Sequence, residues 1–280
     1  MDRAVETGDG RILLVSDLGE PTGPAMLSFH GSGMGRIVFP PYLDDALERG
    51  ARVLSYDRPG LGGSTRLAGH RVADCSDDVR AIADALDLDR IAVWGISGGG
   101  PFALACAARL PELVWAVASV ESVAPVESGD AANARWDDLD AARAEFAERA
   151  AADFERSADL DRMIECYLSD DLCPADVAAL HGSVGEWFAA DARDALAVGG
   201  DGWFDESFAR EHDWGFDLTD ITVPVLIMHG RKDVWVDPAE ASRLADAIPG
   251  SELRMSDEDG HISLLHRLPE VTDWLLSRRS

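Results

Sequence analysis

The chain has 280 residues, 46% of them hydrophobic, and carries 52 acidic against 25 basic side chains for a formal net charge of −27. That length and apolar content suit one large domain with an insertion and a substantial core. The charge excludes nucleic acid and anionic membrane as expected partners, since their phosphates would be repelled, and its expected meaning is a solvated acidic surface.

The opening residues Met1-Asp2-Arg3-Ala4-Val5-Glu6 are too polar for a secretory signal, and no apolar run reaches membrane-spanning length, so a cytoplasmic protein is expected. Residues 11–18 and 25–29 read as strands, and the second runs into His30-Gly31-Ser32-Gly33. Glycines at 31 and 33 let the backbone turn an amide toward a reacting carbonyl, which makes the Ser32 N–H a candidate oxyanion donor, with His30 bracing the loop. A strand at 51–56 leads to Asp57-Arg58-Pro59-Gly60-Leu61-Gly62-Gly63-Ser64. This segment lacks the lysine of a phosphate loop and the spacing of a dinucleotide fingerprint, so it reads as neither.

A helix over 73–86 is followed by a strand at 90–95, the pentapeptide Gly95-Ile96-Ser97-Gly98-Gly99, and a helix over 101–109. Strand, G-x-S-x-G, helix is the nucleophile-elbow pattern. Its turn is so sharp that side chains two residues either side of the serine would collide with backbone. It lifts the Ser97 hydroxyl above the sheet and makes the Gly98 N–H the second candidate oxyanion donor.

A strand at 114–120 ends at Glu121, and over 122–217 the alternation stops. Alanine-rich helical sequence, as in 133–156, replaces it. This stretch carries Trp136, Phe146, Phe154, Tyr167, Trp187, Phe188, Trp203, Phe204, Phe208, Trp214 and Phe216. Most are expected to hold a lid together or dock it, and the rest to line an apolar pocket over Ser97. A strand at 223–229 then leads through Gly230-Arg231-Lys232 to Asp233, a helix over 238–247 and a strand at 251–255 follow, and Asp259-Gly260-His261 precedes a final helix over 262–276. Asp233 is preferred to Glu121 as the acid because of its HGRKD context. His70, His181 and His212 are expected at the surface, and His229 packed at a strand end. His266 lies on the last helix, too far along it to replace His261. Cys75, Cys106, Cys166 and Cys173 lack metal-ligand spacing and are expected as reduced thiols, with a Cys166–Cys173 bridge the alternative.

The order Ser97, Asp233, His261 is the serine, acid, histidine order of the α/β-hydrolases. With HGSGMGR at 30–36, SYDRPGLGGST at 55–65, VWGISGGGPFALACAARLP at 93–111, DGWF with WGFDL within 201–218, and PVLIMHGRKD at 224–233, the chain resembles that superfamily, and within it a serine-hydrolase subgroup common in high-GC actinobacteria with a GISGG elbow. The resemblance implies an α/β fold: a mostly parallel, eight-stranded-type sheet flanked by helices, with 1–121 and 218–280 as the core and 122–217 as a helical cap after the sixth strand. The resemblance also implies that 57–64 is a structural turn in which Asp57 and Arg58 form a buried pair. Relatives often read HGTPGSR where this chain has HGSGMGR, and Gly33 in place of a proline is expected to loosen that loop.

The implied site is a catalytic triad of Ser97, Asp233 and His261 with an oxyanion hole at Ser32 and Gly98, and a serine at the elbow argues against the dehalogenase and epoxide-hydrolase branches. The expected function is hydrolysis of carboxylic esters of small to medium apolar substrates through an acyl-enzyme on Ser97, with no metal or organic cofactor. Alternatives are a proline-iminopeptidase-like aminopeptidase, with Glu145, Glu148 or Glu186 holding an ammonium group, a lactone or carbon–carbon bond hydrolase, and a non-catalytic ligand-binding protein. The expected partner is a small ester-like molecule, and the oligomeric state is left open.

Overall fold

The computed structural model describes residues 1–126, 136–168 and 171–279. Eight strands form one sheet: β1 (Asp2–Glu6), β2 (Ile12–Leu18), β3 (Ala25–Phe29), β4 (Arg52–Tyr56), β5 (Ile91–Ile96), β6 (Val114–Val120), β7 (Val225–Gly230) and β8 (Glu252–Ser256). Their spatial order is β1-β2-β4-β3-β5-β6-β7-β8. β2 runs antiparallel to both β1 and β4, and every other neighbouring pair is parallel. From β3 to β7 every strand residue is buried, which is why those strands read as continuous apolar runs. β1 escapes that reading because only Val5 of its five residues is buried, so it carries no alternating signal.

Successive strand residues point to opposite faces. On β5, Ala92, Trp94 and Ile96 join one apolar layer and Ile91 and Val93 the other. The first layer is closed by α1 (Pro40–Glu48) and α10 (Leu268–Ser277), the second by α2 (Cys75–Ala85), α3 (Gly100–Arg109) and α9 (Ala239–Ala247). Between β6 and β7 the chain makes α4 (Leu139–Arg156), α5 (Leu160–Leu168), α6 (Pro174–Leu180), α7 (Ser183–Ala195) and α8 (Asp201–Arg210), whose apolar faces join the first layer. The helix expected from 133 begins at Leu139 where it is described, and residues 133–135 lie outside the described residues. The helix expected over 262–276 is split into a tight turn at Ser263–Arg267 and α10, which restarts with a proline in its first turn.

Parallel strands bring their carboxyl ends to one edge of the sheet, where loops gather functional groups. Ser97 follows β5, Asp233 follows β7, His261 follows β8 and the His30 loop follows β3. Ser97 has φ +52°, a left-handed conformation costly for a residue with a side chain. The turn closes only because its flanks are bare. A Cβ on Gly95 would run into the Gly99 carbonyl, and one on Gly99 into the carbonyls of Phe29 and His30. The Ser97 carbonyl in turn accepts a 2.7 Å hydrogen bond from Ser122 Oγ. Gly99→Ala should therefore cost about 3 kcal/mol of unfolding free energy or leave the chain insoluble. Urea denaturation checks this, and a variant as stable as wild type would contradict the described turn.

Candidate active site

Asp233 lies in the loop after β7, and every oxygen of its carboxylate is engaged. Oδ1 accepts the N–H groups of Trp235 at 2.8 Å and Val236 at 2.9 Å. Oδ2 accepts from His261 Nδ1 at 2.7 Å and faces His229 Nε2 at 3.0 Å. Burial pushes this carboxyl upward, but the hydrogen bonds from His229 and His261 outweigh it and hold it well below the usual carboxylate range. His229 packs at the end of β7 as expected, and its bond to Asp233 is a further role that its position in the sequence did not signal. With Nδ1 turned to Asp233, the remaining ring nitrogen of His261 belongs to the cavity that Ser97 also lines, and the Trp235 ring lies 5.0 Å from the imidazole.

Glu121, the rival acid, is fully buried, and its oxygens have no hydrogen-bond partner among the described residues. Burial first, and then the neighbouring charge of Asp233, push its carboxyl well above the ordinary range, so it is a neutral acid beside an ionised one. Glu121, Asp233 and His261 each offer one ligand atom within 4.8 Å of the others, a spacing that suits a metal ion. The Asp233 oxygens and His261 Nδ1 are already committed to each other and to backbone, so the set reads as a hydrogen-bonded dyad with a neutral neighbour.

The loop after β3 meets the elbow. A Cβ on Gly98 would sit 3.1 Å from Ser32 N, so the two candidate oxyanion donors are adjacent. Gly33 has φ +69°, closed to proline, and a Cβ there would lie 2.9 Å from the Trp203 ring. Glycine at this position leaves room for the Trp203 ring over the loop. Glu206 on α8 accepts the Gly33 N–H at 2.8 Å and bonds Arg58 Nε at 2.8 Å, while Arg58 donates to the carbonyls of His30 at 2.6 Å and Gly31 at 2.9 Å. Arg58 and Asp57, expected as a pair, are thus separated. Asp57 instead takes Arg36 Nη1 at 3.0 Å and the N–H groups of Arg36 and Gly63. Each arginine thus serves one carboxylate, Arg36 that of Asp57 and Arg58 that of Glu206.

Two more inserted helices act as α8 does. Asp191 on α7 accepts from Gly35 N at 2.6 Å and Ile37 N at 3.0 Å. Asp176 on α6 accepts from Ile262 N at 3.1 Å and Ser263 N at 2.8 Å, just past His261. All three carboxylates are buried. Each satisfies N–H groups that a sharp loop cannot pair within itself. Acidic residues in a chain this acidic give no sequence signal of burial. The only available clue was the presence of glycine-rich loops that lack acceptors of their own.

His30 is buried and braces its loop: Nδ1 lies 3.0 Å from the Gly31 carbonyl, and the Arg58 N–H reaches Nε2 at 3.4 Å. Burial, then the charge of Arg58, push its pKa well below the ordinary value, so it stays neutral. His70 is not at the surface; it is buried, with Nδ1 2.7 Å from the Leu67 carbonyl, because the segment after β4 folds back beneath it. His212 is half-buried, stacked on Phe208, and His181 and His266 are exposed. None of the four cysteines is in a disulfide.

Above Ser97 and His261 is a cavity of about 640 Å³. Its aromatic lining comprises Phe146, Tyr167, Trp187, Phe188 and Trp203 from the inserted helices and Trp235 from the core. Arg149, Arg156 and Arg210 also reach it, with Asp153 and Glu211. Glu145, Glu148 and Glu186 do not line it; all three are exposed. Among the described residues no helix is long and apolar enough to cross a membrane.

This sheet order, elbow and histidine–acid pair are those of an α/β hydrolase. The chain belongs to the alpha/beta hydrolase fold family, whose sequence pattern matches residues 24–268, and it is a hydrolase. It is similar to the AB hydrolase superfamily protein YisY of Bacillus subtilis, 28% identical over 273 residues that cover 93% of this chain and 92% of that protein. It is also similar to the 2-hydroxy-6-oxo-2,4-heptadienoate hydrolase of Pseudomonas putida, 27% identical over 85% of this chain and 83% of the relative. Among solved structures, an esterase from Exiguobacterium antarcticum superposes with a TM-score of 0.74 at 24% identity over 100% of both chains.

Asp191 supplies a pH prediction. Burial, opposed by the N–H groups of Gly35 and Ile37, pushes its pKa up to about 7 from the ordinary 3.8. The folded chain then holds a proton that the unfolded chain sheds above about pH 4, so this group's contribution falls as pH rises through that window, by roughly 4 kcal/mol in all. Urea unfolding between about pH 4 and pH 8 should show wild type losing stability relative to Asp191→Asn as pH rises. Parallel pH profiles for the two proteins would rule it out.

Proposed function

We propose that the protein is a serine hydrolase that cleaves carboxylic esters through an acyl-enzyme on Ser97. The observation that carries this reading is the 2.7 Å hydrogen bond from His261 to Asp233 in the cavity that Ser97 enters at φ +52°. In this reading His261 takes the Ser97 proton as the hydroxyl attacks the ester carbonyl, and Asp233 fixes the imidazole tautomer and stabilises the imidazolium. The N–H groups of Ser32 and Gly98 hold the oxyanion. His261 returns the proton to the departing alcohol, and water resolves the acyl-enzyme by the reverse route. Residues 1–121 and 218–280 serve as the core and 122–217 as a cap whose aromatic side chains exclude water from the reacting centre.

The aminopeptidase alternative loses its support, because the glutamates that would hold an ammonium group lie outside the cavity and arginines lie inside it. A second reading stays in view. The Pseudomonas putida relative is named for a substrate with a ketone carbonyl and no ester, and the same nucleophile and oxyanion donors suit attack on that carbon.

Hydrolysis of p-nitrophenyl esters of graded acyl length tests the first reading. Ser97→Ala should lower turnover more than about 1,000-fold, and a fluorophosphonate should label Ser97. Asp233→Asn should cost far more activity than Glu121→Gln. Labelling without ester turnover would transfer the assignment to the ketone or lactone class, and absence of both would favour a ligand-binding protein.

A further inference from the structure

The loop that carries His261 is held from two directions. From the core, Lys232 donates its N–H to the Asp259 carbonyl at 3.0 Å, and Ser256 Oγ donates to Asp259 Oδ2 at 2.5 Å. From the insertion comes Asp176, in the first turn of α6, whose side chain is fully buried. Its Oδ1 accepts three hydrogen bonds from the residues after the histidine: Ile262 N–H at 3.1 Å, Ser263 N–H at 2.8 Å and Ser263 Oγ at 2.7 Å. Ser263 Oγ in turn accepts the N–H of Gly260, the residue before the histidine, at 3.0 Å. One carboxylate thus grips the chain on both sides of His261, directly after it and through a hydroxyl before it. The other carboxylate oxygen packs against the glycine, where a Cβ would lie 2.2 Å from Asp176 Oδ2. Gly260 therefore leaves the room that the carboxylate fills.

We propose that Asp176 is a positioning residue for the general base, so that the inserted helices take part in the proton transfer from Ser97 as well as enclosing the substrate. The proposal rests on the reading of Ser97 as nucleophile and His261 as its base, and adds to that pair a residue from the insertion. The 2.7 Å bond to Asp233 fixes one ring nitrogen of His261, but a single hydrogen bond leaves the imidazole free to pivot about it. Asp176 fixes the stretch of backbone from which the ring hangs. Two fixed points define where the second nitrogen lies, and a shift of about 1 Å in a reacting group costs about 100-fold in rate. Without the carboxylate, the buried N–H groups of Ile262 and Ser263 would lose their acceptor, and the loop would move to find others.

The test follows hydrolysis of p-nitrophenyl acetate and p-nitrophenyl octanoate by wild type, Asp176→Ala, Asp176→Asn and Ser263→Ala. Asp176→Ala should lose about 10- to 100-fold in kcat with KM nearly unchanged, and by the same factor on both esters, because the proton transfer and not the fit of the acyl chain is impaired. Asp176→Asn keeps an oxygen acceptor in the same place and should restore most of the turnover. Ser263→Ala, which removes the hydroxyl relay to Gly260, should show a smaller loss of the same sign and decides the matter if Asp176→Ala does not fold. Urea denaturation of each variant separates activity from stability. A lowered midpoint with unchanged kcat would overturn the proposal and leave Asp176 as an anchor for α6 alone, as would a loss carried by KM or one that grows with acyl length. Fluorophosphonate labelling distinguishes this failure from that of the underlying reading: labelling of Ser97 in wild type with kcat unchanged in the variants sinks the positioning role alone, and no labelling in wild type sinks both.

Discussion

The pair formed by Arg58 and Glu206 is the interaction on which the rest of the candidate site depends. Both side chains are almost wholly removed from water, at 2% and 1% exposure. Three distant stretches of chain meet there: the turn after β4, the loop after β3 and helix α8. A buried ion pair tolerates no loss of one partner, because the other is then left charged in a poor solvent at a cost of about 3–5 kcal/mol. Here the remaining valences are also used, since Arg58 binds two carbonyls and Glu206 binds an N–H, so the geometry of the oxyanion loop is specified from outside itself.

A second constraint is electrostatic. Glu121 and Asp233 follow neighbouring strands β6 and β7, and two carboxylates so close do not both ionise. The protein resolves the conflict by supply of donors. Asp233 has two histidines and two backbone N–H groups, whereas Glu121 has no partner among the described residues and is neutral. The imidazole of His261 therefore meets one full negative charge, on the side away from the cavity.

Much of this architecture was legible in the sequence. The buried strands β3 to β7 announce themselves as apolar runs, Ser97 and Asp233 stand just past the ends of two of them, and His261 follows the partly exposed β8, so their assembly at one sheet edge follows from parallel topology. The elbow was legible because its glycines answer a local steric need. Long-range polar matching was not legible. Nothing near Glu206, Asp191 or Asp176 in the sequence says that each will meet an N–H more than 80 residues away. The same ignorance of partners led to the expected pairing of Asp57 with Arg58. β1 was silent because an edge strand with one buried residue has no pattern to show.

The carboxylates of α6, α7 and α8 also bear on how the inserted helices are held. Each anchors its helix to a loop of the core, and lifting the three together would leave acids and amides stranded from their partners at about 1–3 kcal/mol apiece. Among the described residues, α4 and α5 send no comparable carboxylate to a core loop. Arg149 of α4 and Tyr167 of α5 reach the same cavity from helices that carry no such anchor among the described residues.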